Sequence, residues 1–184
     1  MRPAKSWKPI EQATIAYGHG ISVNLVQLAR AYTVFANEGQ LKPATLFKGG
    51  DAVAGRPVMR ADTALAVRHM LELAVLPGGT APKAQVPGYR VAGKTGTAHK
   101  LQGRGYTNKY VSSFVGFAPA SAPRLIVAVM IDEPSTGVHY GGDVAAPVFS
   151  AVMGSALRTL GAPPDAPGDN VILPEETAAI REET

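Results

Sequence analysis

The chain has 184 residues, 46% of them apolar, with 20 glycines, 15 prolines and no cysteine. That apolar share excludes a disordered chain, the length suits one domain with its own core, and the missing thiols exclude disulfides and thiolate metal sites. The net charge of +4 is unevenly laid out: residues 73–131 carry seven basic side chains and no acidic one, whereas 132–184 carry nine acidic and two basic. The central block is therefore a positive field that attracts small anions and carboxylates. Its basic residues are scattered with few aromatics between them, which argues against nucleic acid. No apolar run approaches the roughly 18 residues of a membrane span, and no basic-then-apolar leader opens these residues.

Residues 1–21 read as an irregular lead-in. Trp7 is the single tryptophan and is expected to pack on a core. His19 sits in the glycine-punctuated turn Tyr17-Gly18-His19-Gly20, with no second ligand at metal spacing. Ser22 is expected to cap a helix that Gly39 stops, because Leu25, Leu28, Ala29, Tyr32, Phe35 and Ala36 recur at helical spacing. Residues 40–59 read as short extended pieces around Gly49-Gly50-Asp51. A second helix is predicted over 60–75, with Leu65, Met70, Leu71 and Leu73 apolar and His69 structural or exposed. A Pro/Gly loop fills 77–88.

The stretch Val91-Ala92-Gly93-Lys94-Thr95-Gly96-Thr97-Ala98 is the most informative in the chain. Its short apolar flanks predict a strand over 90–98. An ammonium, two hydroxyls and an open glycine on one strand can line an anion site. The plain alternative is an edge strand whose lysine discourages pairing. Residues 99–108 are polar and glycine-rich and read as a loop. Strands are predicted over 110–118 and 124–132, joined closely enough for an antiparallel hairpin. Residues 133–142 form a second loop, and a third helix is expected over 144–160, capped by Asp143 and stopped by Gly161. Residues 165–184 read as a Pro-rich and acidic mobile tail. Helices segregated from a run of antiparallel strands indicate an α+β layer fold.

Two motif readings compete for the same residues. From Gly88 to Thr95 the letters fit G-x-x-x-x-G-K-[ST], and the apolar segment 125–131 ends in Asp132-Glu133, as a Mg²⁺-holding strand would. A P-loop, however, needs a helix beginning at the Lys-Thr, since the helix N-terminus binds the phosphates. Here Gly96, Gly103 and Gly105 follow instead.

The other reading takes Lys94-Thr95-Gly96 as the Lys-Thr-Gly element of serine acyl-transferases that bind penicillin. The segments 17–32, 91–98, 116–120 and 140–149 together resemble class B penicillin-binding proteins, most of all the division-specific penicillin-binding protein 3 type. The match runs over about residues 6–165 in the family's order, with residues 1–164 as the C-terminal part of the transpeptidase domain. The resemblance implies a β-lactamase/transpeptidase-like fold with three strands of its antiparallel sheet in this chain. It implies a D,D-transpeptidase that cross-links peptidoglycan stem peptides, is acylated by β-lactams and uses no cofactor or metal. By the same resemblance, Lys94 and the Thr97 backbone N–H serve catalysis. Thr95, Gly96, His139 and Tyr140 contact substrate, and the Thr97 hydroxyl helps hold its carboxylate. Partners would be stem peptides, β-lactams, the remaining half of the domain and division-complex proteins, at the periplasmic face of a bacterial inner membrane.

The chain departs from the family in one respect. None of its eight serines (Ser6, Ser22, Ser112, Ser113, Ser121, Ser135, Ser150, Ser155) is followed three residues later by lysine. The nucleophile motif and the membrane anchor are not in these residues, and the chain alone is expected to be inactive. A different class remains open: a non-catalytic fragment that binds a partner half or a cell-wall peptide.

Overall fold

The computed structural model describes residues 4–16, 18, 20–47, 54–103, 105–135 and 137–172. In chain order these form α1 (Pro9–Ile15), α2 (Leu25–Ala36), β1 (Gln40–Leu41), β2 (Arg56–Pro57), α3 (Ala61–Leu73), β3 (Ala92–Gln102), β4 (Gly105–Ala118), β5 (Leu125–Asp132), α4 (Gly141–Val144) and α5 (Ala146–Thr159), with 3₁₀ turns at Ala4–Ser6 and Pro82–Ala84. β1 and β2 pair with each other. β3, β4 and β5 make one antiparallel sheet in that order, as expected.

The sheet is covered on both faces, because β4 alternates two sets of large side chains. Phe114 and Ala118 point to the face that also holds Val91, and there Phe149, Met153 and Leu157 of α5 complete the main core. Phe117 points the other way, with Ala92 and Ala120, toward Tyr32 and Phe35 of α2 and Leu71 of α3. Burial pushes the Tyr32 phenol up to about 12, so it stays neutral. Arg68 of α3 fastens this second layer. Its guanidinium donates to the Phe35 carbonyl at 2.8 Å and the Ala120 carbonyl at 3.1 Å. The far sides of α2 and α3 are bare: Val26, Leu65, Met70 and Leu73 all stand exposed, as does Phe47.

Several sequence expectations need correction. The lead-in is not irregular throughout: Pro9 sits at the first position of α1, and the Glu11 carboxylate accepts from the Lys8 N–H at 2.8 Å. Trp7 is half-buried, and His19 and Gly49-Gly50-Asp51 lie outside the described residues. The cap of α2 is Asn24, not Ser22. Its Oδ1 accepts from the Gln27 N–H at 2.9 Å while the Gln27 side chain accepts from the Asn24 N–H at 3.0 Å, a reciprocal box that Ser22 is too far upstream to make. Gly39 stops the helix at φ +84.

Residues 99–102 and 105–108 are strand, not loop. β3 and β4 continue past the core as a protruding hairpin, with Gln102 opposite Gly105 and Gly103 at φ +64. Both faces of the projection are wet, so apolar alternation is lost while the ladder persists. Cross-strand pairs take over: His99 faces Tyr110, and Lys100 holds Asp132 at 2.9 Å and Glu133 at 2.7 Å. Lys100 and then Lys109 pull the Glu133 carboxyl from 4.5 down to about 2. That preference for the charged form steadies the hairpin above about pH 4.5 and fades as pH falls toward 2.

The last helix is two. α4 ends at Val144 and α5 begins at Ala146, with Pro147 in its first turn. Asp143 is not a cap. It lies inside α4 and pairs with Lys83 at 2.6 Å. Residues 165–172, read from composition as mobile tail, are tied to the body. The Asp165 carboxylate accepts from the Arg90 N–H at 2.7 Å and from Ser121. Asn170 caps the 86–89 turn through the Gly88 N–H and the Tyr89 carbonyl. Residues 173–184 lie outside the described residues.

Candidate functional site

β3 is one of the two edge strands of the described sheet, and its register decides where each motif residue faces. Thr95 and Thr97 pair with Phe114 and Ser112 on the α5 side. Lys94 pairs with Val115 and leaves the strand on the opposite side. Its ammonium nevertheless donates to Thr95 Oγ1 at 2.8 Å, so the side chain curls round the outer edge of β3. There it also meets Thr80 Oγ1 at 3.2 Å, and Thr95 Oγ1 donates to Thr80 Oγ1 at 3.1 Å. A strand residue therefore carries the cation, and no helix starts at Lys94. This overturns the P-loop reading, which requires a helix N-terminus at that point.

The other wall is built on α4. The Gly141 N–H donates to Thr97 Oγ1 at 3.1 Å, which orients the threonine and brings the start of α4 onto β3. The approach is close enough to require glycine. A Cβ on Gly142 would lie 2.0 Å from the Thr80 carbonyl oxygen. Gly96 is less constrained: a Cβ there would meet the Ser113 hydroxyl at 2.6 Å, a side-chain atom that can rotate away.

His139 and Tyr140 precede α4 and are half-buried rather than splayed into solvent. The His139 ring stacks on Tyr110 at 3.7 Å and 13°, Tyr140 tilts against His139 at 4.5 Å, and His99 covers the region from β3 with its ring 4.3 Å from Tyr110. Fully buried Ser112 donates to the His139 carbonyl, and so spends a core hydroxyl on pinning this loop. Lys94, Thr95, Gly96 and Thr97 are thus contiguous with the start of α4, and His139 and Tyr140 lead into it. Thr80, Tyr110 and Ser112 are the supporting residues that sequence reasoning missed. Tyr110 and Ser112 lie in a strand that was predicted, but nothing local marks which of its side chains reach the loop.

Chemically, the arrangement offers one full positive charge and a row of hydroxyls to an anionic group. Charge-assisted hydrogen bonds of this kind suit a carboxylate. Among the described residues no group of three or more His, Cys, Asp or Glu could hold a metal ion. A cavity of about 320 Å³ lies elsewhere, between α3, residues 85–91 and 165–170, and has no part in this constellation.

Comparison with known proteins identifies the family and the fold. The domain family described as the penicillin binding protein transpeptidase domain matches residues 2–154. The probable peptidoglycan D,D-transpeptidase PenA of Neisseria flavescens is 47% identical over 171 residues, 92% of this chain and 43% of that protein. The peptidoglycan D,D-transpeptidase FtsI of Escherichia coli is 45% identical over 161 residues, 87% of this chain and 27% of that protein. The solved transpeptidase domain of Burkholderia pseudomallei penicillin-binding protein 3 superposes with a TM-score of 0.84 at 56% identity, over 91% of this chain and 51% of that one. The chain therefore spans between 27% and 51% of the length of these three relatives. Its α+β arrangement is part of the β-lactamase/transpeptidase fold, and the chain belongs to the penicillin-binding protein transpeptidase domain family.

Proposed function

We propose that this chain supplies the Lys-Thr-Gly half of a serine-type peptidoglycan D,D-transpeptidase of the division-specific kind. The observation that carries the reading is the position of Lys94. Its ammonium sits over Thr95 on an accessible outer strand, where an anionic substrate can reach it. In this reading Lys94 and the hydroxyls of Thr95 and Thr97 bind the terminal carboxylate of a D-Ala-D-Ala stem. The Thr97 N–H faces the developing oxyanion, where a fixed donor stabilises charge that appears only in the transition state. His139 and Tyr140, in contact through their rings, border the bound peptide. The nucleophilic serine comes from the other half of the domain, because no serine of this chain carries the Ser-x-x-Lys pattern.

The partners follow from the same reading: stem peptides and β-lactams at the cleft, the other half-domain, and division-complex proteins at the septum. Its place would be the periplasmic face of the inner membrane. Among the described residues no helix is long and apolar enough to cross a membrane. The bare flanks of α2 and α3 favour a catalytic half that is completed by more protein over a free-standing binding module.

The test is a graft: the transpeptidase domain of the Escherichia coli relative with its matching segment replaced by this chain. The folded graft is expected to release the terminal D-alanine from a peptide ending in D-Ala-D-Ala when an amine acceptor is present. A folded graft that releases none would remove the transpeptidase reading.

A further inference from the structure

The loop after α3 brings to the site a residue that lies outside the Lys-Thr-Gly motif. We propose that Thr80 is a positioning residue for Lys94, holding its ammonium on the Thr95 side of the strand. Thr80 Oγ1 accepts from Lys94 Nζ at 3.2 Å and from Thr95 Oγ1 at 3.1 Å, while Lys94 Nζ donates to Thr95 Oγ1 at 2.8 Å. The three groups close a triangle that uses both acceptor sites of the Thr80 hydroxyl. The same triangle sets the direction of the Thr95 proton.

What fixes Thr80 is independent of β3. The Gly79 N–H donates to the Leu76 carbonyl and the Ala81 N–H to the Ala74 carbonyl, each at 2.9 Å, so the loop is sewn to the end of α3. Ala81 is fully buried. On the other side the Thr80 carbonyl abuts Gly142, and the Lys83–Asp143 ion pair ties the next turn to α4. Two helices thus set the oxygen in place, and the lysine comes to it. Lysine has a flexible four-carbon stem, and Lys94 is rooted on the opposite side of the strand. The triangle helps to bring the cation round. The consequence for catalysis rests on the transpeptidase reading: the charge is already on the carboxylate-binding side before substrate arrives.

The first arm uses the 184-residue chain itself. Lysines are acetylated with limiting acetic anhydride, and the rate at Lys94 is read by peptide mass spectrometry against Lys5. Thr80→Val keeps the side-chain shape and removes the oxygen; Thr80→Ser keeps the oxygen and removes the methyl. Thr80→Val is expected to raise Lys94 labelling by about fivefold, the worth of one hydrogen bond, with Thr80→Ser close to wild type. A packing role gives the reverse order, serine worse than valine. Equal labelling of valine variant and wild type, or serine as fast as valine, overturns the proposal. Thr80→Ala, without the branched bulk, is read the same way if the valine variant is unfolded. In the graft, Thr80→Val is expected to slow acylation by penicillin by about tenfold, with serine restoring it; an unchanged rate also overturns the proposal. A wild-type graft that is not acylated strikes the transpeptidase reading instead, and leaves the labelling result standing.

Discussion

Replacing Lys94 with alanine in the graft is expected to lower the second-order rate of acylation by penicillin far more than Thr95→Ala does. The two side chains touch each other at 2.8 Å, so they are tested against one background. Thr95 offers one neutral hydroxyl to an anion that other donors also reach. Losing a hydrogen bond to a charged group costs about 1.5–3 kcal/mol, which is roughly 10- to 150-fold in rate. Lys94 offers a full charge, and it donates to both Thr80 and Thr95. Its loss removes the counter-charge for the carboxylate and the cation that Thr95 is hydrogen-bonded to, so its effect should exceed the upper end of that range. The measurement is the acylation rate of each variant under identical conditions. Equal losses, or a larger loss for Thr95→Ala, would make Lys94 a bystander on the strand.

The second large effect concerns the sheet's main cover. Phe149→Ala should destabilise the folded chain by about 3–5 kcal/mol, the range for emptying a buried aromatic site. Phe149 is completely buried and meets Phe114 edge-on at 4.6 Å. The hole would lie between α5 and β4, with Met153 and Leu157 on one side and the ladder backbone on the other. A ladder cannot collapse into it without breaking β3–β4 pairing, so little relaxation is available. Such a loss is a large part of the roughly 5–15 kcal/mol that holds an ordinary domain together. Urea unfolding reads it directly, with Val148→Ala as the neighbouring control. Val148 is 43% exposed on the outer side of the same helix, and its substitution should stay within about 0.5 kcal/mol. A loss below about 1 kcal/mol at Phe149 would mean that α5 is not the cover the core depends on.

How far the sequence speaks depends on whether the deciding contacts are local. Lys94-Thr95-Gly96 is legible as a strand motif because its flanks are apolar and the glycines that follow disfavour the helix a P-loop requires. The strands ending at Ala118 and Asp132 are legible because one or both faces are buried. The projection from His99 to Asn108 is not, because polar pairs such as Lys100–Glu133 sustain it and leave no apolar period. Asn24 and Ser22 are both good caps by type, and only the reciprocal bond with Gln27 chooses between them. Asp143 looks like a cap until the fold delivers Lys83, 60 residues earlier in the chain, to its carboxylate. The same holds for Asp165 and Asn170, whose partners at Arg90 and Gly88 lie 75 and 82 residues upstream. Thr80 is the clearest case. As one threonine after Pro77-Gly78-Gly79 it reads as a turn residue, and only α3 and α4 together aim it at the lysine.

The central claim is that this chain holds the anion-binding half of a transpeptidase site and not its nucleophile. Intact-mass measurement after incubation with penicillin tests it most directly, on the 184-residue chain and on the graft in parallel. The account predicts no adduct on the chain alone and one penicilloyl group on the graft, attached to a serine of the Escherichia coli part. A stoichiometric adduct on Ser6, Ser22, Ser112, Ser113, Ser121, Ser135, Ser150 or Ser155, or a folded graft that gains no mass, would contradict it.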